Sequence, residues 1–126
     1  MTHIDSDAFV AWEAGRFDLI GWLAGQTGVA FCATAWQEMT FGVFAWETGR
    51  STKRQRSLEV FEQAAVVAFE KRDAVRAAKI DAELKSNKIG IADCQIAACA
   101  LEDGAELLTF NVDHFSRVPG LKLAKL

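Results

Sequence analysis

Short apolar runs set apart by amphipathic segments restrict this chain more than any other feature. "GVAFCAT" (28–34), "AVVAFE" (65–70) and "AELLTF" (105–110) each read as a buried strand. Stretches of helical pattern, each longer than a hairpin loop, lie between them. Strands so separated are joined by crossovers and lie parallel. A parallel sheet buries both of its faces under helices. The pattern therefore predicts an α/β chain, a three-layer α/β/α domain around a central, mostly parallel sheet of about four or five strands. One domain over residues 1–126 suits a chain of this length.

A finer pass fills in the elements. Residues 1–5 form a thin first strand. "DAFVAWEAG" has helical spacing and stops at Gly15, and "FDLIGWLAGQ" is a second helix. Thr34 caps the helix after the 28–34 strand, and "AWQEMTFGVFAWETG" continues it to Gly49. Residues 52–65 make another helix. "RDAVRAAKIDAELKSNK" is a long amphipathic helix with Val75, Ala78 and Ala82 on its apolar side. "IADCQIAACAL" follows as an apolar helix, then an "EDG" turn at 102–104, the strand "AELLTF" and a last short strand, "LKLAK".

Composition removes several classes of function. Apolar residues make up 51% of the chain and charged residues 25%, enough apolar content for a packed core and too much for disorder. No apolar run approaches the roughly 20 residues of a membrane span, and "MTHIDSDAF" has neither a basic start nor an apolar signal segment. The expected location is the cytoplasm, with no membrane partner. Three cysteines without a CxxC pair suit small core residues better than zinc ligands or a disulfide framework. A net charge of −3 disfavours general salt-driven nucleic-acid binding, but not an enzyme whose acids hold cations. One basic run stands out, "GRSTKRQR" at 49–56, with Arg50, Lys53, Arg54 and Arg56.

In a parallel sheet the functional crevice lies at the carboxyl ends of the strands. Asp5 and Asp7 fall at the end of the first strand. Glu38 lies in the early turns of the helix after the second, Asp93 opens the apolar helix, and Asn111 and Asp113 follow "AELLTF". Taken singly, an aspartate at a helix start is a cap and a glutamate in a helix is solvated. Taken together, these acids from distant segments make a composite site. Carboxylates crowded in one crevice repel, and oxygen-only ligands favour hard ions such as Mg²⁺ or Mn²⁺. Gly42, four residues after Glu38, shares its helix face. A helical glycine costs about 0.5–1 kcal/mol against alanine, which implies either a close approach on that face or a merely tolerated glycine.

The segments "DSDAFVAW" (5–12), "WQEMTFGV" (36–43), "IGIADCQIAACAL" (89–101) and "LLTFNVDHFSRVPGLKL" (107–123) resemble PIN domains of the VapC toxin type. The resemblance spans nearly the whole chain and is most specific in the C-terminal third. It implies a Mg²⁺- or Mn²⁺-dependent endoribonuclease, commonly dimeric, neutralised by a small VapB-like antitoxin and acting on an RNA such as a tRNA or a ribosomal loop. Carried over by position, Asp5, Glu38 and Asp93 are the metal-binding and catalytic acids, with Ser6 in support. The fourth acidic position falls on either Asn111, an amide that still offers a carbonyl, or Asp113. In the implied mechanism a metal-activated water attacks the phosphate in line and leaves 3′-hydroxyl and 5′-phosphate ends. Arg50, Lys53, Arg54 and Arg56 are the candidate RNA grip, against a solvated helix start. Trp12 and Trp22 are candidates for an apolar groove that takes the antitoxin's helix, while Trp36, Met39, Val43 and Trp46 read as core. His114 reads as a hydrogen-bonded structural residue.

Two other readings compete. A phospho-acceptor receiver domain also places acids at strand ends, but "AVVAFEKR" ends in Glu70 and Lys71 where an aspartate is needed. A catalytically impaired PIN-like module that binds RNA or protein draws its support from Asn111.

Overall fold

The computed structural model describes residues 1–126. Four strands, β1 (Thr2–Ile4), β2 (Val29–Cys32), β3 (Val66–Val67) and β4 (Glu106–Leu108), form one sheet in the order β3-β2-β1-β4. Every pairing is parallel, with Ile4 opposite both Phe31 and Leu108. Seven helices connect and flank them: α1 (Ser6–Glu13), α2 (Leu19–Ala24), α3 (Ala33–Ala45), α4 (Thr48–Val60), α5 (Lys71–Leu84), α6 (Ile91–Glu102) and α7 (Val112–Phe115). The expected α/β/α sandwich is therefore present with four strands. "LKLAK" adds only a parallel bridge between Leu107 and Leu123.

Side chains alternate across the strands and divide the core in two. Ile4, Phe31 and Leu108 pack with Phe9, Leu19, Met39, Leu58 and Phe61 under the layer of α1, α2 and α4. On the other face Cys32 and Leu107 pack with Ala77, Ile80 and Leu84 of α5 and with Ile96, Ala97 and Ala100 of α6. All three cysteines are free and buried.

Several boundaries differ from the sequence reading. The helix after β2 is capped by Cys32, whose Sγ accepts from the Thr34 amide, so Thr34 lies inside the helix. That helix ends at Ala45 instead of Gly49. Trp46 turns to extended backbone and Glu47 caps a new helix, accepting from the amides of Gly49 and Arg50. The 65–70 run is a two-residue edge strand with Val66 exposed, because β3 has a neighbour on one side only. Helix α5 buries Asp73, Ala77, Ile80 and Leu84. Val75, Ala78 and Ala82 face outward, so the apolar side read from the sequence is the exposed one. Its start is fixed by a capping box between Glu70 and Asp73. Trp12 and Trp22 are half-buried and pack against the core. The Trp12 ring meets Phe61 edge-on at 4.9 Å, and the Trp22 ring N–H donates to the Lys125 carbonyl. No helix is long and apolar enough to cross a membrane.

Candidate active site at the carboxyl edge of the sheet

Strand β1 ends at Ile4, and Asp5 follows as the cap of α1. Its backbone amide still bonds Leu108 of β4, which holds the residue at the sheet edge. Asp5 is 3% exposed. Oδ1 accepts from the Ser6 amide at 2.8 Å and Oδ2 from the Thr109 hydroxyl at 2.8 Å. Thr109 leaves β4 beside it and is buried. Its hydroxyl also lies 3.2 Å from Asp7 Oδ2 and accepts from the Asn111 amide at 2.9 Å. Asp7, in the first turn of α1, is held by the Phe110 amide at 3.1 Å. A single hydroxyl thus ties the β1–α1 corner to the β4–α7 corner.

Glu38 comes from α3 and is reached by the Ser6 hydroxyl, which donates to its Oε1 at 2.9 Å. Asp93 comes from the first turn of α6, where the helix dipole favours a negative charge. Gly90, at φ +99°, makes the turn into α6 in a conformation suited to glycine. Asp93 Oδ2 is 2.9 Å from Nδ1 of His114 and 3.5 Å from Nδ2 of Asn111.

The electrostatics follow from this crowding. Burial pushes the Asp5 carboxyl up to about 8, reinforced by the negative charges of Asp7, Asp93 and Glu38 and opposed by the Thr109 hydrogen bond. Loss of hydration also raises Glu38, and Asp93 and Asp7 add to it against the Ser6 bond. No lysine or arginine forms an ion pair with any of these four acids, and the one ring that approaches them is His114.

The structure brings together Asp5, Ser6, Glu38, Asp93 and Asn111 from four segments of the chain. It does not bring Asp113. That side chain is 82% exposed and pairs with Arg117 at 2.8 Å, because in the single turn of α7 it is His114 that faces Asp93. The hub of the site, Thr109, is absent from the residues that the sequence singles out. Its signals are a hydroxyl directly after an apolar strand and its place two residues before Asn111 in the stretch "LLTFNVDHF". Asp7 is visible at the strand end, yet its part in raising Asp5 depends on contacts that only folding creates.

Beside Glu38 lies a hollow of about 440 Å³ lined by Val10, Glu13, Glu38, Trp46, Arg50, Lys53 and Arg54. Arg50 and Lys53 are exposed on its rim. Arg54 is corrected from grip to scaffold: it is buried, pairs with both oxygens of Glu13 at 2.9 and 2.8 Å, and donates to the Met39 carbonyl. Arg56 is exposed and does not line the hollow. The close approach implied by Gly42 is the chain's own indole: a Cβ on Gly42 would stand 2.5 Å from the Trp46 ring.

A family profile described as the PIN domain matches residues 2–121. No curated protein matches the chain in sequence. Among solved structures, VapBC2 from Rickettsia felis bound to a promoter DNA fragment superposes with a TM-score of 0.85 at 23% identity, covering 99% of this chain and 98% of that one. DNA-bound VapBC from Salmonella typhimurium gives 0.85 at 20% identity, covering 98% and 96%. VapBC-5 from Mycobacterium tuberculosis gives 0.79 at 19%, covering 99% and 98%. At these identities the likeness establishes a shared fold.

Proposed function

Because the chain belongs to the PIN domain family, we propose that it is a divalent-cation-dependent endoribonuclease, a toxin of the VapC type held in check by a VapB-like antitoxin. The observation that carries the reading is the delivery of Asp5, Asp7, Glu38 and Asp93 to one sheet edge, with no lysine or arginine paired to them. The structural neighbours named as VapBC complexes support the antitoxin. A homodimer acting in the cytoplasm completes the reading.

The donors suit a hard cation. They are carboxylate oxygens, and those of Asp5 and Glu38 hold protons more tightly than usual, so a cation relieves a repulsion that a proton otherwise relieves. No three His, Cys, Asp or Glu side chains are arranged to enclose an ion by themselves. Mg²⁺ keeps several of its waters and needs only one or two direct carboxylates. Asp5, Glu38 and Asp93 would hold Mg²⁺ or Mn²⁺, one or two of them directly and the rest through its waters. When bound, such an ion supplies a more acidic water and charge neutralisation at the scissile phosphate. The chain's own part is to fix Asp5 through Ser6 and Thr109 and to hold Glu38 through Ser6. Arg50 and Lys53 draw the flanking RNA backbone to the Glu38 side of the cleft.

Incubation of the purified protein with Mn²⁺ and a set of structured RNAs, tRNA and ribosomal fragments among them, tests this. The expected result is cleavage with 3′-hydroxyl and 5′-phosphate ends that disappears in Asp93→Asn. Cyclic 2′,3′-phosphate ends would reject the water-attack mechanism. Metal binding without cleavage of any RNA would favour the other reading, an impaired binding module, to which the amide at Asn111 lends its weight.

A further inference from the structure

We propose that His114 is the positioning residue for Asp93. Its Nδ1–H fixes one carboxylate oxygen and leaves the other to face the cation, so that an imidazole does the work expected of the fourth acidic residue. The inference rests on the cation-dependent reading above and concerns a residue that reading treats as secondary.

Three observations carry it. Nδ1 of His114 lies 2.9 Å from Asp93 Oδ2. A carboxylate offers only lone pairs, so the ring nitrogen facing it carries the proton and donates. The second donor, Asn111 Nδ2, reaches the same Oδ2 at a longer 3.5 Å. Both protein donors therefore occupy one oxygen, and Oδ1 keeps its lone pairs. The side chain is also placed by the fold. Phe115, next in the chain, is fully buried in the α5–α6 core, and the amides of Phe115 and Ser116 bond back to Asn111 and Val112. With Phe115 anchored, α7 has one phase, and that phase turns His114 to Asp93 and Asp113 to solvent.

An outer partner of this kind narrows the orientations open to a ligating carboxylate, and losing it typically costs 10- to 100-fold in metal affinity. It brings no negative charge of its own, so the cleft gains an oriented ligand without further repulsion. Asparagine is the informative replacement. Its amide nitrogen is the nearest mimic of Nδ1 among the other side chains, whereas alanine removes the donor.

The test is titration of Mn²⁺ into the full chain, followed by calorimetry and by the decay of the free-ion paramagnetic resonance signal, with thermal melting to confirm the fold of each variant. His114→Ala is expected to weaken Mn²⁺ binding roughly 10- to 100-fold, His114→Asn to restore most of it, and Asp93→Asn to weaken it further. The His114 side chain is 36% exposed, so its removal leaves the core untouched. If Asp93→Asn weakens binding and His114→Ala does not, the positioning role is wrong and the cation site stands. Equal weakening in His114→Ala and His114→Asn would also overturn it, because the donor would not be what matters. If the parent protein takes up no Mn²⁺, the proposed function fails and this inference with it.

Discussion

Two buried ionisable residues, His3 in the middle of strand β1 and Asp5 just past its carboxyl end, are partnered in different ways. His3 and Asp5 are two residues apart and on the same side of the sheet. His3 bonds Asp103 through Nε2 at 2.9 Å, and Asp103 in turn receives Arg72 at 2.9 Å. There the charge of Asp103 is answered by Arg72, while burial keeps the His3 ring toward neutral and its Nδ1 has no partner. Asp5 meets Asp7, Glu38 and Asp93, and only hydroxyls and amides answer it. A fold gains nothing in stability from gathering like charges, so the uncompensated acids around Asp5 make the candidate site. The molecule shows elsewhere that it can compensate a buried charge, as with Arg54 and Glu13.

The sharpest way to break this contrast is to neutralise Asp5. Asp5→Asn should lower RNA cleavage by about two orders of magnitude or more, since metal-assisted charge stabilisation contributes several kcal/mol. Because the variant removes the repulsion, its metal-free form should melt higher than the parent at about pH 8, where the parent's Asp5 is about half ionised. A lower melting temperature there would show that Asp5 is a structural acid.

The paired class should behave in the reverse way. Arg54→Ala leaves Glu13 without its partner and should cost about 3–5 kcal/mol in urea unfolding, the range for breaking a buried pair. Its effect on catalysis should not exceed what reduced folding explains.

Asp5 and His3 should also differ in their response to pH. Asp5 has a folded pKa of about 8 against an unfolded value near 4. Between those values the folded state holds a proton that the unfolded state lacks, so this group's contribution is full below about pH 4 and is lost as pH rises toward about 8. Glu38 is shifted the same way. Burial lowers His3, against the pull of Asp103. Its unfolded form protonates first on acidification, and stability falls as pH drops below about 6.5. Thermal melts in chelator should therefore decline from about pH 5 to about pH 8 more steeply for the parent than for Asp5→Asn. Saturating Mn²⁺ should remove most of that decline. A parent slope equal to that of the variant would contradict the assignment.

The smallest effect is expected on the rim. Arg50→Glu or Lys53→Glu should leave stability within about 0.5 kcal/mol. Each should make the slope of log affinity against log salt concentration shallower by about 0.7, the share of one neutralised phosphate on a single strand. Arg56→Glu, outside the hollow, is the control.

Much of the site was legible because it depends on local spacing. A short apolar strand followed by Asp5, a glutamate one turn into a helix and Asp93 at a helix start are positions that topology alone sends to one edge. Choices of phase were legible unevenly. In α5, Ala77, Ile80 and Leu84 exceed Val75, Ala78 and Ala82 in apolar size at the same helical spacing, so the buried stripe was present in the sequence. The four-residue helix α7 is too short for a periodic signal, so neighbours Asp113 and His114 could not be told apart until Phe115 fixed the turn. The break between α3 and α4 has no proline or glycine at Trp46 or Glu47. There the Trp46 indole folds back on Gly42, four residues earlier, and Glu47 caps the next helix.

That indole has a practical consequence. Trp46 lies against Gly42 with the Arg50 and Arg54 guanidiniums 4.2 and 4.5 Å from its ring, on the wall of the hollow beside Glu38. Its emission is thus placed to register events at the cleft, with Trp12, Trp22 and Trp36 as background. A single-tryptophan form, with those three replaced by phenylalanine, would give a built-in optical gauge of cation and RNA arrival without any added dye.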